Sequence, residues 1–395
     1  MMSVSRTDTS VLGRWWWTVD RWTLAALMAL IGFGYVMMLA ASPAVAERVI
    51  GSASRTLLLL KQVVFLGLAG GLMVSVSLLS PRAVRRLAAL GCFGALVLTA
   101  ATLVIGFETK GARRWLNFPV LGTMQPSEFL KPCLAVVVAW MLAEGKAAAA
   151  DRLAQARRGF DLMHPRFYWP AAAVGLIGVV AVVLKSQPDI GMLMVVLSVF
   201  LAQSFVAGLN VVLVALTGAL VAAGGVGAYF VLPHVRSRVD RFLDPASGDT
   251  FQITKAMEAF GNGGLFGRGP GEGRVKNALP DAHADFVFAV AGEEFGFVVC
   301  ALILALFAFV VVRGLIRLVA EGDMFVVLAA TGLLAQFGLQ AFVNMASSLH
   351  LIPTKGMTLP FVSYGGSSVL AIALGMGMLL ALTRRRGQRL ERSAA

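Results

Sequence analysis

The sequence predicts an all-α, polytopic membrane protein of ten transmembrane helices. Three observations carry this expectation. Hydrophobic residues make up 58% of the 395-residue chain and charged residues only 14%. Apolar runs of about twenty residues recur from end to end, the length a helix needs to cross the hydrocarbon layer. No ten-residue segments of alternating hydrophobicity appear, as a transmembrane barrel would require.

Taken in order, a short N-terminal tail (residues 1–21) leads into a single membrane domain (22–383), and a basic tail (384–395) closes the chain. Trp15, Trp16 and Trp17 precede the first span as interfacial anchors. The first apolar run is too long, and too poorly followed by a cleavage site, for a removable signal peptide. The predicted spans are 22–41, 57–80, 87–106, 127–143, 169–184, 190–206, 211–232, 286–312, 324–344 and 361–383. The fifth and sixth meet at a tight Gln187-Pro188-Asp189 turn. Cys92, Cys133 and Cys300 lie inside spans without metal-site spacing, which suits buried free thiols. Three segments stand outside the membrane: 107–126, 233–284 and 345–360. The middle one is the largest loop, and its glycine-rich 261–273 stretch lacks the pattern of a phosphate-binding P-loop.

Arginine and lysine set the orientation. Arg14, Arg21, Arg82, Arg85, Arg86, Lys146, Arg152, Arg157, Arg158, Arg166, Arg313, Arg317 and the arginines from Arg384 onward fall on one side when ten spans are counted. Both termini are therefore expected in the cytoplasm. The formal net charge of +13 is mostly this topology signal rather than a nucleic-acid footprint.

The few charges placed by depth near or inside spans lie in or above the outer half of the bilayer: Lys61, Lys131, Lys185, Asp189, Glu293, Glu294 and Lys355. Two aspartates, one histidine and two glutamates fall between Asp281 and Glu294, where a polar loop becomes a span. Carboxylates at a lipid boundary are costly and ask for a reason. An alternating-access transporter would more often keep its polar site at the midplane. Lys110, Arg113 and Arg114 form a compact external cationic group that suits a phosphate or pyrophosphate, with ordinary anionic headgroup contact as the equal alternative.

Several segments read together. Gly111-Ala112-Arg113-Arg114-Trp115-Leu116 is followed by Gln125-Pro126-Ser127-Glu128-Phe129-Leu130-Lys131, and then by Gln187-Pro188-Asp189-Ile190-Gly191. Next come Arg238-Val239, Phe242-Leu243-Asp244-Pro245, and Gly263-Gly264-Leu265-Phe266-Gly267-Arg268-Gly269. The stretch Leu279-Pro280-Asp281-Ala282-His283-Ala284-Asp285-Phe286 precedes Gly292-Glu293-Glu294, and Pro353-Thr354-Lys355-Gly356-Met357-Thr358-Leu359-Pro360-Phe361 leads to Gly365-Gly366-Ser367-Ser368. This series closely resembles the SEDS (shape, elongation, division and sporulation) family across nearly the whole chain, its division branch more than its elongation branch.

The resemblance implies a peptidoglycan glycosyltransferase that polymerises lipid II on the outer face of the bacterial inner membrane, at the division septum. It also implies partnership with a class B penicillin-binding protein and other membrane proteins of the division machinery. The family's essential aspartate falls on Asp285, expected as general base. Lys110, Arg113, Arg114, Lys131, Arg238, His283 and Lys355 are the candidates for substrate contacts. Three positions depart from the common pattern. Ala284 stands where Thr is usual, Asp281 where Glu is frequent, and Lys110 where Asn is frequent. A lipid II flippase and an elongation-type polymerase are the alternatives.

Position alone favours a plainer role for Asp285, as N-cap of the following helix, which would lower its pKa and weaken it as a base. Glu128 and Lys131, three apart, suit a structural ion pair. Glu293 and Glu294 suit structural roles, and Gly365-Gly366 with Ser367-Ser368 suit close helix packing. No metal site is legible; a divalent cation, magnesium or manganese, bridging Asp285 and a pyrophosphate is the hypothesis left open.

Overall fold

A computed structural model describes residues 10–49, 54–109, 112–118, 122–154, 165–244, 251–353 and 356–385. Eight helices are long and apolar enough to cross a membrane, and two shorter apolar helices join them. In chain order these ten are α2 (Arg21–Val49), α3 (Ser54–Ser77), α4 (Pro81–Ile105), α5 (Pro126–Ala154), α6 (Pro165–Ser186), α7 (Ile190–Val206), α8 (Val211–Val231), α11 (Val287–Leu318), α12 (Met324–Ser348) and α13 (Gly366–Leu382). Every predicted apolar segment is thus helical. The last is shorter than expected: α13 starts at Gly366 rather than 361, because 356–365 folds back as a loop over the bundle.

Local chemistry sets the ends. Ser80 caps α4 through Ala83 N, with Pro81 in the first turn where a missing N–H costs nothing. Asp189 caps α7 through Met192 N. Gln187, almost wholly buried, donates to Thr99 O at 2.9 Å and to the Thr102 hydroxyl, tying the α6–α7 turn to α4.

The segments predicted to stand outside the membrane hold more structure than their polar composition suggests. Residues 107–124 form a three-stranded antiparallel sheet, β1 (Phe107–Thr109), β2 (Ala112–Phe118) and β3 (Gly122–Met124). The largest loop contains two amphipathic helices, α9 (Pro233–Leu243) and α10 (Phe251–Gly263), and a 3₁₀ turn at Val275–Asn277. A short helix, α1 (Val11–Thr18), precedes the first span. Its tryptophans do not act alike: Trp15 is buried and donates from Nε1 to Ser77 Oγ at 2.8 Å, whereas Trp16 stays exposed. Packing, not interfacial anchoring, therefore holds Trp15.

Helix α11 is broken. Gly296 sits at φ 77°, ψ −174°, a conformation open almost only to glycine. The segment after α10 fills the break. Arg268 N and Gly269 N donate to the freed carbonyls of Glu293 (2.9 Å) and Glu294 (3.0 Å), while Phe297 N and Val298 N donate to Gly264 O (2.9 Å) and Leu265 O (3.2 Å). Irregular backbone at membrane depth survives only when its polar groups are paired within the protein. A Cβ on Gly267 would lie 2.2 Å from Glu294 O, so the close approach demands glycine there. This accounts for the glycine-rich stretch that lacked a P-loop pattern.

At the opposite end of the bundle, buried Asp20 accepts two hydrogen bonds from Arg313 (both 2.8 Å) and pairs with Arg317 (3.1 Å). Burial pushes its carboxyl up, but bonds from Arg313 and Thr23 and the charge of Arg317 outweigh that and hold it below the usual value. Arg384 Nε donates to Thr18 Oγ1 and Arg385 N to Thr18 O. The two ends of the described chain therefore meet. Cys92, Cys133 and Cys300 are free and buried, as expected.

Candidate active site

The turn at 281–286 carries Asp285. Asp281 adopts a left-handed φ of 52°, and its carbonyl accepts from Ala284 N and Asp285 N, both at 3.0 Å. The turn ends before the helix: α11 begins at Val287, and its N-cap is Phe286, with no side-chain capping bond. Asp285 thus stands one residue before the cap position, not at it as its place in the sequence suggests.

Three successive carbonyls of this turn would be left without helical partners, and each is taken by a donor from elsewhere. Tyr364 N donates to His283 O at 2.8 Å, Ser363 Oγ to Ala284 O at 2.6 Å, and Asn344 Nδ2 to Asp285 O at 3.0 Å. Two of those donors lie in the loop after α12, one on α12 itself. Gly356 faces the Asp285 carboxylate so closely that a Cβ there would lie 2.8 Å from Oδ2. The carboxyl-bearing residue is half-buried, pinned through its backbone, with glycine leaving space on one side.

A polar stripe on α12 supports the loop. Gln340 Nε2 donates to Thr358 O at 3.1 Å and Asn344 Nδ2 to Met357 O at 2.6 Å, one helical turn apart. Thr358 Oγ1 and Ser368 Oγ lie 2.6 Å apart. Lys131 Nζ reaches Gln340 Oε1 at 3.1 Å and Glu128 Oε2 at 2.9 Å. The Glu128–Lys131 pair is therefore structural, as the spacing predicts, and among the described residues Lys131, 4% exposed, is linked to the loop through Gln340.

His283 packs its ring 5.3 Å from that of Tyr364, and its Nδ1 is buried without a partner. Burial holds its pKa below the usual histidine value, against an opposing pull from Asp281.

Arg113 and Arg114, two of the three residues of the predicted cationic group, do not share a patch. Neighbours on a strand point to opposite faces, and β2 sends Arg113 and Arg114 apart. Arg113 is exposed, 3.7 Å from Glu108. Arg114 turns inward, donating to Gln187 O (2.9 Å) and Pro188 O (2.8 Å) and pairing with Asp189 at 3.4 Å. It holds the α6–α7 turn. Arg238 is exposed on α9, whose Phe242 stacks edge-on against His350 of the terminal loop, centroids 4.9 Å apart. Lys110 and Lys355 fall outside the described residues.

Glu293 and Glu294, both fully buried, are structural, as expected. Glu293 accepts from Arg274 N and Val275 N, and Glu294 from Gly271 N. Lys276 Nζ joins Glu294 at 2.5 Å, Ala40 O at 2.7 Å and Gly271 O at 2.9 Å. Gly366 packs as predicted: a Cβ there would meet the Phe65 ring at 2.9 Å. Among the described residues no three His, Cys, Asp or Glu side chains gather as a metal-ligand set, so Asp281, His283 and Asp285 do not form one.

Sequence reasoning missed Asn344, Gln340, Ser363, Tyr364 and Gly356. The available signal was Gln336, Gln340 and Asn344 recurring every fourth residue in an apolar helix, which puts costly amides on one face.

Known proteins share this arrangement over most of its length. A family model described as a cell cycle protein (FtsW, RodA and SpoVE) matches residues 21–388. A probable peptidoglycan glycosyltransferase FtsW of Caulobacter vibrioides is 44% identical over 97% of this chain and 93% of its own length. The stage V sporulation protein E of Bacillus subtilis is 33% identical over 74% of this chain and 77% of its own. Among solved structures, a chain of a peptidoglycan synthase complex that coordinates polymerization and crosslinking superposes with a TM-score of 0.70, at 28% identity, over 94% of this chain and 99% of that one. The rod shape determining protein RodA of Thermus thermophilus gives 0.63 at 27% identity, over 94% and 99%. The chain belongs to this FtsW, RodA and SpoVE family, the SEDS family, as an FtsW-type member.

Proposed function

We propose that this chain is a peptidoglycan glycosyltransferase that polymerises lipid II on the outer face of the bacterial inner membrane during septal wall synthesis, with Asp285 as general base. The observation that carries the assignment is the Asp285 turn, set one residue outside the α11 cap, fixed through three carbonyls and faced by Gly356. In the proposed topology, ten crossings with cytoplasmic termini, that turn lies outside. The meeting of Thr18 with Arg384 and Arg385 at one end of the bundle supports an even number of crossings.

The chemistry follows from that placement. A sugar hydroxyl of the acceptor attacks the anomeric carbon of the donor; the new C–O bond forms as the bond to lipid pyrophosphate breaks. The hydroxyl proton becomes acidic as the bond forms, and the Asp285 carboxylate takes it. An α-linked donor gives a β-linked product by this single displacement. Pyrophosphate leaves with growing negative charge, which cations stabilise. Arg113 and Arg238, exposed on β2 and α9, are suited to this contact, as are Lys110 and Lys355 by sequence. Arg114 and Lys131 serve by holding the α6–α7 turn and the terminal loop. A class B penicillin-binding protein crosslinks the product, and the likeness to a synthase complex supports that partnership.

The test uses purified protein with its penicillin-binding partner and labelled lipid II in detergent, where transport has no meaning. Glycan polymer is expected from wild type and none from Asp285→Ala. Equal polymer from the variant would sink the base assignment, and silence from every partnered preparation would favour a flippase.

A further inference from the structure

We infer that Asn344 is the positioning residue of the reaction, holding Asp285 and the strand of loop opposite its carboxylate in fixed relation. This rests on the assignment of Asp285 as base. Asn344 is wholly buried on α12, and its Nδ2 donates to Asp285 O at 3.0 Å and to Met357 O at 2.6 Å. One amide nitrogen thus grips two backbone segments that are far apart in sequence. Met357 follows Gly356, the glycine against which the Asp285 carboxylate lies. Fixing both carbonyls fixes the base and the wall beside it.

The residue type fits this work. Only a primary amide or a cation offers two N–H donors from one nitrogen, and a buried cation would need a counter-charge. The companion Oδ1 is buried without a hydrogen-bond partner. An unpaired buried acceptor is unfavourable, so the donor end is what the fold retains the side chain for. Asn344 itself is held: Ser347 and Ser348 hydroxyls donate to its carbonyl at 3.0 and 2.9 Å. Gln340, one turn away, grips the next loop carbonyl, Thr358 O, but does not touch the Asp285 turn, which separates loop anchoring from base positioning.

Two variants test the inference in the full chain with its partner, with rates normalised to lipid II binding sites so that misfolded protein is not counted. Asn344→Leu fills similar space without a donor. It is expected to lower per-site kcat roughly ten- to hundredfold while KM stays within about twofold, the signature of misplaced reacting groups rather than lost binding. Asn344→Asp is nearly isosteric, removes the donor and sets a second carboxylate beside the first. Its kcat–pH profile is expected to show the acidic limb displaced to higher pH, a displacement that partial unfolding, which scales every pH alike, does not produce. Wild-type per-site kcat in Asn344→Leu, or an unmoved limb in Asn344→Asp, overturns the inference. Asp285→Ala, run in parallel, separates the two ideas. Polymer from that variant removes the base assignment, whereas its silence beside unimpaired Asn344 variants removes only the positioning role.

Discussion

His283 sits two residues from the proposed base, with a buried, unpartnered Nδ1 and a pKa depressed by burial. Its folded-state pKa lies below its unfolded one, so the unfolded chain binds the extra proton first as pH falls. Stability is full above the unfolded value of about 6.5 and declines on acidification through the folded value. His283→Gln should flatten that decline. Thermal unfolding in detergent between neutral and mildly acidic pH would read it, and parallel curves for the two proteins would refute it. At this scale the sequence motif pointed to Asp285 but not to its geometry: whether an aspartate before a helix caps it depends on where the first helical turn starts, which neighbours decide. The apparent cluster of Arg113 and Arg114 dissolved for a similar reason. Only the strand assignment separates adjacent side chains, and three short strands amid glycines and prolines carry weak periodicity.

Between α10 and α11 a glycine-rich segment completes a broken span, and the buried Lys276–Glu294 pair closes the joint. Lys276 satisfies all three ammonium protons on Ala40 O, Gly271 O and Glu294. Lys276→Met would leave Glu294 fully buried and without its cation, a loss of about 3–5 kcal/mol. A lowered melting temperature, with faster hydrogen exchange confined to residues 263–276, is the expected reading; unchanged protection there would show that backbone bonds alone hold the joint. The ten apolar helices were legible, since membrane helices announce themselves by hydropathy, whereas α9 and α10 in the largest loop were not. The break was not, because Gly296 is one glycine among 42, and its backbone angles follow from a partner loop about 30 residues upstream.

Across the whole molecule, the two ends of the described residues meet at one face and the proposed chemistry lies at the other. The Asp20–Arg313–Arg317 cluster locks the far end of α11 to the start of α2. Basic residues in the connections pointed to this arrangement, whereas residues 361–365, the end of the loop, were read as the start of a span because Phe361 and Val362 are apolar. The seam at Gly296 has a mechanical consequence. The stretch Val287–Phe295 is bonded sideways to the upstream loop at Glu293 and Glu294, while its helix is broken at Gly296. Bilayers of different thickness make long helices tilt, and such tilting would be absorbed at the seam, as in a jointed shaft. The short upper piece would ride with α12 and keep its register against Asn344. Polymerisation in vesicles of short- and long-chain lipids should accordingly vary little, and a steep dependence on thickness would mean that α11 moves as one rigid lever after all.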